Sequence, residues 1–481
     1  MNLPHLGVGL VYAPGLEPLL KSGSTCVDVI EIEPQTLWHH KPGAPISYSF
    51  PEETLKRLQD FPQSKLVHSV GFAVGGSQHP KQDFAESLSN AVGLLNAPWV
   101  SEHLSFTHVK STNNLYHTGF MLPCLQTYEG ATTAAETIGH LASKLPVPFA
   151  VETTVNYLKP RKGELSDGEF VAIATEMADC GILLDLHNIW TNQRNGRQKV
   201  VDFLQCIPLE RVWEIHLGGG FEFEGYWLDA HSGAVPEPVL ELTRDLIPHL
   251  PNLRAVIFEI FPSFIPMFGL RSIQEEIERI KDVCGEPKEA MSDLSLEQIN
   301  QPQYRSVEIP CAPALTPETW EETLGDVVSA GTCAGNLAEA LSHDAGISVI
   351  RKLIWKFRAG AITKALGALI RLVILSRGEK QLETLLDDYF RETRPKPFAS
   401  DEAQGFIKYL QSVKPEIPYI EDILAYEEAA IRALVDDCTQ YVSFAYDPNE
   451  LLEALTLGFI PQNIKPGNYE LEIRARGHAS N

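Results

Sequence analysis

Short apolar runs alternate with longer segments of helical spacing along the first 280 residues. Near-continuous apolar strands between helices are typical of a parallel sheet that is buried on both faces. The runs predict eight strands, at Leu6–Tyr12, Val27–Pro34, Lys65–Phe72, Pro98–Phe106, Pro148–Thr154, Gly181–Asn188, Arg211–Gly218 and Ala255–Ile260. Eight such units predict an α/β fold, a (β/α)8 TIM-barrel-like domain. The alternative is a doubly wound open sheet, which would normally carry a glycine-rich phosphate loop, and neither GxGxxG nor GxxxxGK[ST] occurs.

The pattern changes after the last predicted strand. We expect a barrel domain over 1–282, a polar, proline-punctuated linker over 283–320 and a mainly α-helical C-terminal domain over 321–481. Within that last domain a basic amphipathic segment runs from Ile347 to Ser376, and a further helix is predicted at Ile420–Asp437.

Composition agrees with a two-domain globular chain. The 481 residues are 44% hydrophobic and 21% charged, which disfavours disorder, collagen and coiled coil. The net charge of -24 argues against nucleic acid as a partner, although a local basic patch stays open. Thirteen of the 15 histidines lie at or before position 249, within an acidic part of the chain. This bias favours metal binding, with a solvated acidic surface as the alternative.

The sequence shows no recognisable targeting signal, which predicts a cytoplasmic protein. The eight cysteines form no CxxC pair, and sparse, unpatterned cysteines fit a reducing compartment. The N-terminus lacks the basic and apolar regions of a signal peptide. No uncharged apolar run reaches the length of a membrane span.

Carboxylate and imidazole side chains cluster near the C-terminal ends of the predicted strands. They are His68, Glu102, His103, Glu152, Asp185, His187, Glu214, His216 and Glu259, joined by Asn188 and by Asp229 and His231 in a following loop. Ionisable groups are costly to bury without partners, and in a barrel these strand ends meet at one mouth. Imidazole and carboxylate without thiolate suit Fe, Mn or Zn, and so many ligands predict two or three ions. Salt bridges lining the barrel are the alternative. Glu31 and Glu33 are interpreted as structural.

Seven motifs, in their order along residues 5–280, resemble a known family. They are VHSVG, SEHLSF, AVETT, LLDLHN, EIHLGG, DAHSG and FEI. The run is similar to the multinuclear non-heme iron-dependent oxidative enzymes, whose best-known member is the methanobactin-biosynthesis oxidase. The resemblance implies a TIM-barrel-like fold that holds two or three irons, mixed Fe²⁺ and Fe³⁺, with O₂ as co-substrate.

The resemblance also implies site residues. Metal ligands are implied at His68, His103, Glu152, Asp185, Asn188, His216, Asp229, His231 and Glu259. Asp185, His187 and Glu102 are candidate catalytic residues, and the last two could instead be ligands or orient the imidazoles. The chain departs from the family pattern at Ser69, at Thr153 and Thr154, at Gly220 and at Ala230. These departures leave the ligand positions intact and put the outcome of the reaction in doubt.

The C-terminal part has a resemblance of its own, over about 375–460. LLDDYFRETRPKPFASDEAQGFIKYL, IPYIEDILAYEEAAIRAL and VSFAYDPNELLEAL look like the partner protein that recruits the peptide substrate for these oxidases. The resemblance implies that oxidase and partner are fused, which makes a separate partner protein unnecessary. Residues 351–380 hold eight Lys and Arg and one acidic residue. They predict either a dock for an acidic precursor peptide or a helix lying on the acidic barrel.

Together these features predict an iron- and O₂-dependent oxidase that modifies a ribosomally synthesised peptide, at a cysteine or a C-terminal residue, in natural-product biosynthesis. One alternative is a Mn- or Zn-dependent barrel enzyme of the sugar-isomerase or endonuclease type. The other is a non-catalytic metal-homeostasis protein.

Overall fold

The computed structural model describes residues 3–21, 26–40, 46–110, 115–285, 315–329, 334–436 and 438–474. Its strands are β1 Gly7–Val11, β2 Val29–Ile32, β3 His39–His40, β4 Tyr48–Ser49, β5 Ser64–Ser69, β6 Val100–His103, β7 Phe106–Lys110, β8 Leu115–Leu122, β9 Phe149–Glu152, β10 Gly181–Asp185, β11 Val212–Gly218, β12 Gly220–Phe223, β13 Tyr226–Asp229, β14 Ala255–Glu259, β15 Gln440–Tyr446 and β16 Pro466–Ile473.

The α-helices are α1 Glu17–Lys21, α2 Pro34–Leu37, α3 Glu52–Asp60, α4 Gln82–Leu95, α5 Tyr128–Ala142, α6 Asp167–Ala178, α7 Leu186–Arg194, α8 Val200–Leu204, α9 Glu237–Leu246, α10 Ile265–Phe268, α11 Leu270–Gly285, α12 Pro317–Ser329, α13 Asn336–Ser342, α14 Ala345–Ala365, α15 Gly367–Arg377, α16 Glu379–Glu392, α17 Ala399–Val413, α18 Ile420–Val435 and α19 Pro448–Leu457. Short 3-10 turns lie at Leu209–Arg211 and Ile247–His249.

Eight parallel strands close into a barrel in the order β1-β14-β11-β10-β9-β6-β5-β2. This confirms the predicted TIM-barrel-like fold and the eight predicted strands. The strands are recognisable in the sequence because their residues are buried on both faces, as in β10 and β14, where every position is buried. The main core lies between the strands and the surrounding helices.

Helix ends set where two of the barrel strands begin. Asn96 and Asp179 end α4 and α6 in the left-handed conformation, which turns the chain towards β6 and β10. At the start of α6, Ser166 and Glu169 form a reciprocal capping box. The strand ends that carry the polar side chains are therefore positioned by signals local to each unit.

Several predicted strands extend too far, as at Lys65–Phe72, where β5 ends at Ser69. The strand predicted at Pro98–Phe106 ends at His103, and Phe106 begins an antiparallel hairpin of β7 and β8. The strand predicted at Gly181–Asn188 ends at Asp185, because that side chain caps α7, whose first turn contains His187 and Asn188.

The sequence predicts a linker over 283–320. It overlaps the end of α11 and the start of α12, and residues 286–314 lie outside the described part of the chain.

The C-terminal region is mainly helical, as predicted, with one antiparallel hairpin of β15 and β16. Helix α12 joins it to the barrel. Trp320 is 1% exposed and donates its indole N–H to the carbonyl of Pro123 at 2.8 Å, while Glu321 accepts from the backbone N–H and the hydroxyl of Ser77 at 2.7 and 2.5 Å. Arg394 bonds to Asp326 on α12 at 2.7 Å.

Within the described ranges, no single helix has the length and apolarity needed to cross a membrane. Helices α14 and α15 meet that test only when they are taken together, and they bend by 103° where they join.

Candidate metal centre

A first group of ligand atoms lies where β5, β6 and β9 end. The Nε2 atoms of His68 and His103 are 3.1 and 2.9 Å from the same carboxylate oxygen, Oε2 of Glu152. Parallel pairing of the three strands brings these residues to one level of the barrel, since His103 is in register with Glu152. His68 and Glu152 are buried, and His103 is nearly so.

A second group adjoins the first and shares Glu152 with it. Glu152, Asp185, His216 and Glu259 each offer one ligand atom within 4.8 Å of the others. The Nδ1 atom of His216 lies 3.1 Å from Oε1 of Glu259 and 3.8 Å from Oε1 of Glu152. Glu152 is therefore placed to serve two ions.

A third group forms at the outer edge of the mouth. Nε2 of His231 lies 2.9 Å from Oδ1 of Asp229 and 3.1 Å from Oε2 of Glu259. His231 adopts a left-handed backbone with φ of 43°, a conformation that a residue with a Cβ rarely takes. Such strain is concentrated at functional sites, and here it directs an imidazole at two carboxylates.

Several of these atoms have no hydrogen-bond partner although they are buried. They are Oε2 of Glu152, Oδ1 of Asn188, Nδ1 of His216, Nε2 of His231 and Oε2 of Glu259. The short distances between them lack hydrogen-bond alignment, so the atoms converge without satisfying each other. Buried polar atoms normally have partners, and a set of convergent lone pairs without them fits metal ions.

The ionisable side chains at the centre carry an excess of negative charge. Burial and the neighbouring Asp229 and Glu152 raise the pKa of Asp185 well above its usual value. Burial alone would raise the pKa of Glu152, but His103 and His68 lower it well below its usual value. Burial would likewise lower the pKa of His216, and Glu31 and Glu259 raise it well above the usual value. Excess buried carboxylate of this kind is stabilised by cations, whether protons or metals.

Asp185 and Asn188 are linked through the first turn of α7. Oδ1 of Asp185 accepts the backbone N–H of Asn188 at 2.7 Å, and the Asn188 amide donates to the carbonyl of Thr153 at 3.2 Å. These bonds fix the side chain so that its own oxygen remains available to a cation.

Two of the predicted site residues, Glu102 and His187, contact the side chains of candidate ligands. Glu102 accepts the backbone N–H groups of Phe72 and His103, and its Oε1 lies 3.1 Å from Nδ1 of His103, the nitrogen turned away from Glu152. His187 contacts Asp229 through Nδ1 at 2.9 Å. Both residues are therefore placed to orient ligands.

Glu31, interpreted as structural from the sequence, faces one of the candidate ligands. It is fully buried in β2, and its Oε1 lies 3.0 Å from Nε2 of His216. Glu214 completes a group around that nitrogen, with Oε1 at 3.7 Å. Burial, together with Glu214, raises the pKa of Glu31 to about 8. The available signal was a lone carboxylate inside the apolar strand Val29–Ile32.

Residues 6–284 match the sequence model of a family described as RiPP precursor modification enzyme MbnB/TglH/ChrH, the RiPPs being ribosomally made, modified peptides. The chain belongs to this family. The match includes the whole barrel and all three ligand groups, and it ends before α12.

Several curated proteins that are similar to this chain are UPF0276 proteins. One from Streptomyces avermitilis is 27% identical over 51% of this chain and 49% of its own length, so the chain spans about half of it. One from Chromobacterium violaceum is 30% identical over 38% of this chain and 64% of its own. One from Shewanella loihica is 27% identical over 64% of this chain and 99% of its own.

Solved structures similar to this MbnB/TglH/ChrH family member include a D-psicose 3-epimerase with D-fructose, 13% identical with a TM-score of 0.38 over 58% of this chain and 99% of that one. An IOLI protein with a bound zinc atom is 13% identical, with a TM-score of 0.37 over 59% of this chain and 99% of that one.

Proposed function

We propose that this chain is an iron- and O₂-dependent oxidase that modifies a ribosomally made precursor peptide, at a cysteine or a C-terminal residue, in the cytoplasm. The observation that carries the proposal is the pair of ligand groups that share Glu152, with His231 adjoining them at Glu259, whose buried nitrogen and oxygen atoms converge without hydrogen-bond partners. Membership of the RiPP-modification family supports a peptide as the substrate.

Each ligand group would hold one ion. His68, His103 and Glu152 would hold the first, and Glu152, Asp185, His216 and Glu259 the second. Asp229, His231 and Glu259 would hold a third, and Asn188 is a further ligand candidate through its unpartnered Oδ1. When bound, mixed-valent iron would supply activation of O₂ and anchoring of the substrate. The hydrogen bond to Glu102 orients the ring of His103, and Oε1 of Glu31 lies 3.0 Å from Nε2 of His216, where it could orient that ring once a metal is bound.

A cleft between the barrel and the C-terminal helices supports a peptide as the substrate. The cleft has a volume of about 690 Å³ and is walled by both domains, with Trp38, Tyr48 and Phe72 from the barrel and Phe398 from the C-terminal domain. Tyr48 and Phe398 stack at 5.5 Å across the domain boundary. Phe72 links the cleft to the centre, because its backbone N–H donates to Glu102 at 3.2 Å.

Part of the cleft wall is aromatic and uncharged, whereas Lys81, Asp83 and Asp401 line other parts of it. Burial lowers the pKa of His108 to about 3 and that of His117 to about 4, so both rings are neutral at pH 7. His108 also stacks on Phe72 at 4.4 Å. Access between the domains supports a substrate-recruiting role for the fused C-terminal domain.

The basic segment 351–380 is largely engaged within the protein. Arg358 is buried against Glu402 at 2.7 Å, Arg351 donates to the carbonyl of Val327 at 2.6 Å, and Lys352 pairs with Glu224 of the barrel. These contacts favour the interpretation of a helix that packs on the barrel. A dock for an acidic peptide would use the exposed members, Lys356, Lys364, Arg371, Arg377 and Lys380.

Anaerobic loading of the full-length chain with iron tests the proposal. We expect two or three irons per chain, and O₂ consumption with a peptide that is encoded beside this gene and carries repeated cysteines or a distinctive C-terminal residue. The same donor set accepts Mn or Zn. Activity with zinc or manganese and without O₂ would instead establish the isomerase-type alternative, and metal uptake without peptide modification would favour metal homeostasis.

A further inference from the structure

One face of α7 packs on the β12–β13 hairpin at the edge of the metal centre. His187, Trp190 and Arg194 follow one another at helical spacing, so they share this face. Trp227 lies opposite them in β13, two residues before Asp229. The ring of Trp190 meets that of Trp227 edge-on at 5.2 Å, and the guanidinium of Arg194 lies 4.5 Å from the Trp227 ring.

A continuous line of polar contacts runs from Trp227 to the third ligand group. Nε1 of Trp227 donates to Nε2 of His187 at 3.1 Å, and Nδ1 of His187 lies 2.9 Å from Oδ1 of Asp229. The same Asp229 oxygen is 2.9 Å from Nε2 of His231. His187 is completely buried, so water does not replace either contact.

The chemistry of the indole decides the tautomer of His187. An indole N–H is a donor only, so Nε2 of His187 must be the acceptor and carries no hydrogen. The hydrogen of the neutral ring is then on Nδ1, which donates to Asp229. Because both ring nitrogens are committed within the protein, His187 has no lone pair left for a metal.

The backbone around Trp227 is held firmly. The Asn195 side chain accepts the Trp227 N–H at 2.8 Å and donates to the Trp227 carbonyl at 2.9 Å. Gly220, on the paired strand, leaves room for the indole. A Cβ there would lie 2.5 Å from Nε1 of Trp227 and 3.0 Å from Nε2 of His187. The Trp227–His187 contact therefore depends on glycine at position 220.

We propose that Trp227 is a positioning residue, which fixes His187 as a hydrogen-bond donor and thereby aims Asp229 at the ion shared with His231. The proposal rests on the proposed function for the presence of that ion. It removes His187 from the set of ligands and of catalytic residues, and it adds a residue that touches no metal.

The tautomer is measured in the metal-free chain. In ¹⁵N-histidine NMR spectra of the wild type, with the His187 signal identified from its loss in His187→Gln, we expect a neutral ring with hydrogen on Nδ1. A ring with hydrogen on Nε2 would overturn the proposal.

Metal titration tests the positioning role. With Fe²⁺ as the probe under anaerobic conditions, Trp227→Phe should weaken one ion per chain by about 10-fold, the lower end of effects of residues that orient ligands. Trp190→Phe is the matched control, because Trp190 belongs to the same aromatic cluster and meets His187 only through a ring contact at 6.0 Å, which a phenyl ring can keep, so the variant should bind as the wild type does. Equal binding by the two variants would overturn the proposal.

A double variant separates positioning from general support. If Trp227 acts through His187, the combined Trp227→Phe and His187→Gln change should weaken the ion no more than His187→Gln alone. Additive losses would assign Trp227 a merely structural role and overturn the proposal. A wild type that binds no iron at His68, His103 and Glu152 would mark failure of the proposed function, whereas iron binding that ignores Trp227 would mark failure of this inference alone.

Discussion

Glu31 and His216 face each other inside the barrel, with 3.0 Å between Oε1 of the carboxyl group and Nε2 of the ring. The other ring nitrogen, Nδ1, is 3.1 Å from Glu259 on the side of the metal centre. A histidine that binds a metal through one nitrogen commonly donates the N–H of the other to a carboxylate, which fixes the ring and strengthens it as a ligand. Glu31 is placed for that role.

Replacement of Glu31 by Gln should therefore weaken metal binding at the second group by about 10- to 100-fold, the range typical of such orienting partners. The measurement is competitive metal titration of the purified chain. Glu214→Gln is the control. Its Oε1 is farther from His216, at 3.7 Å, and its Oε2 accepts from the indole of Trp99. Equal losses in the two variants would contradict a special role for Glu31.

Glu152→Ala should cost the chain more than one ion, because Glu152 belongs to both the first and the second ligand group. His68→Ala should cost only the first ion, since His68 belongs to one group. Elemental analysis of anaerobically loaded protein gives the metal-to-chain ratio for each variant. If both variants lost the same single ion, the shared position of Glu152 would be refuted.

Trp320→Ala should destabilise the protein by about 3–5 kcal/mol, the usual cost of emptying a large buried aromatic site. The side chain is 1% exposed, and Arg161 lies 3.9 Å above its ring. Chemical unfolding measures the change. Trp320→Phe keeps most of the volume but leaves the carbonyl of Pro123 without its donor, so it should cost roughly 1–3 kcal/mol. An alanine variant as stable as the wild type would show that this contact between α12 and the barrel does not contribute to stability.

The pH dependence of stability should carry a contribution from Glu321. Burial raises the pKa of this group from 4.5 to about 7 in the folded chain. Between these values the folded chain keeps a proton that the unfolded chain has released, so stability falls as the pH rises through this window. The contribution is roughly 3 kcal/mol at most.

Comparison of the wild type with Glu321→Gln isolates that contribution, since the amide does not titrate. Urea unfolding at pH 5 and at pH 8 should show a smaller loss of stability in the variant than in the wild type. Parallel losses in the two proteins would show that Glu321 titrates normally.

Arg358→Ala should destabilise the C-terminal domain by about 3–5 kcal/mol, because it leaves Glu402 buried without its partner. Arg371 is the control, since it is an exposed residue of the same basic segment, and its replacement by Ala should change stability by less than about 0.5 kcal/mol. Unfolding curves that do not distinguish the two variants would exclude a structural role for Arg358.

The barrel and most of its centre were predictable for the same reason. A parallel strand buried on both faces is apolar throughout, so His68, Glu152 and Glu259 stand out where they interrupt the apolar pattern. Their positions near strand ends then placed them at one mouth. That Asn188 belongs to α7 was not predictable from hydrophobicity, because the change from strand to helix depends on a single capping contact of Asp185.

Other features needed the three-dimensional structure. Glu31 lies near the end of β2, but its approach to Nε2 of His216 depends on how strands far apart in the sequence close into the barrel. Trp227 resembles a core residue in the sequence, and its contact with His187 joins segments 40 residues apart. The cleft depends on how the two domains pack, which residue patterns within either domain do not specify.

The shared carboxylate of Glu152 has a thermodynamic consequence. An ion bound by His68 and His103 and an ion bound by His216 would compete for, or jointly organise, the same side chain. Their binding free energies are then coupled, and the coupling must be equal in both directions. We therefore expect loading of the two positions to be cooperative, either positively or negatively, so that the second ion binds with an affinity set by the first.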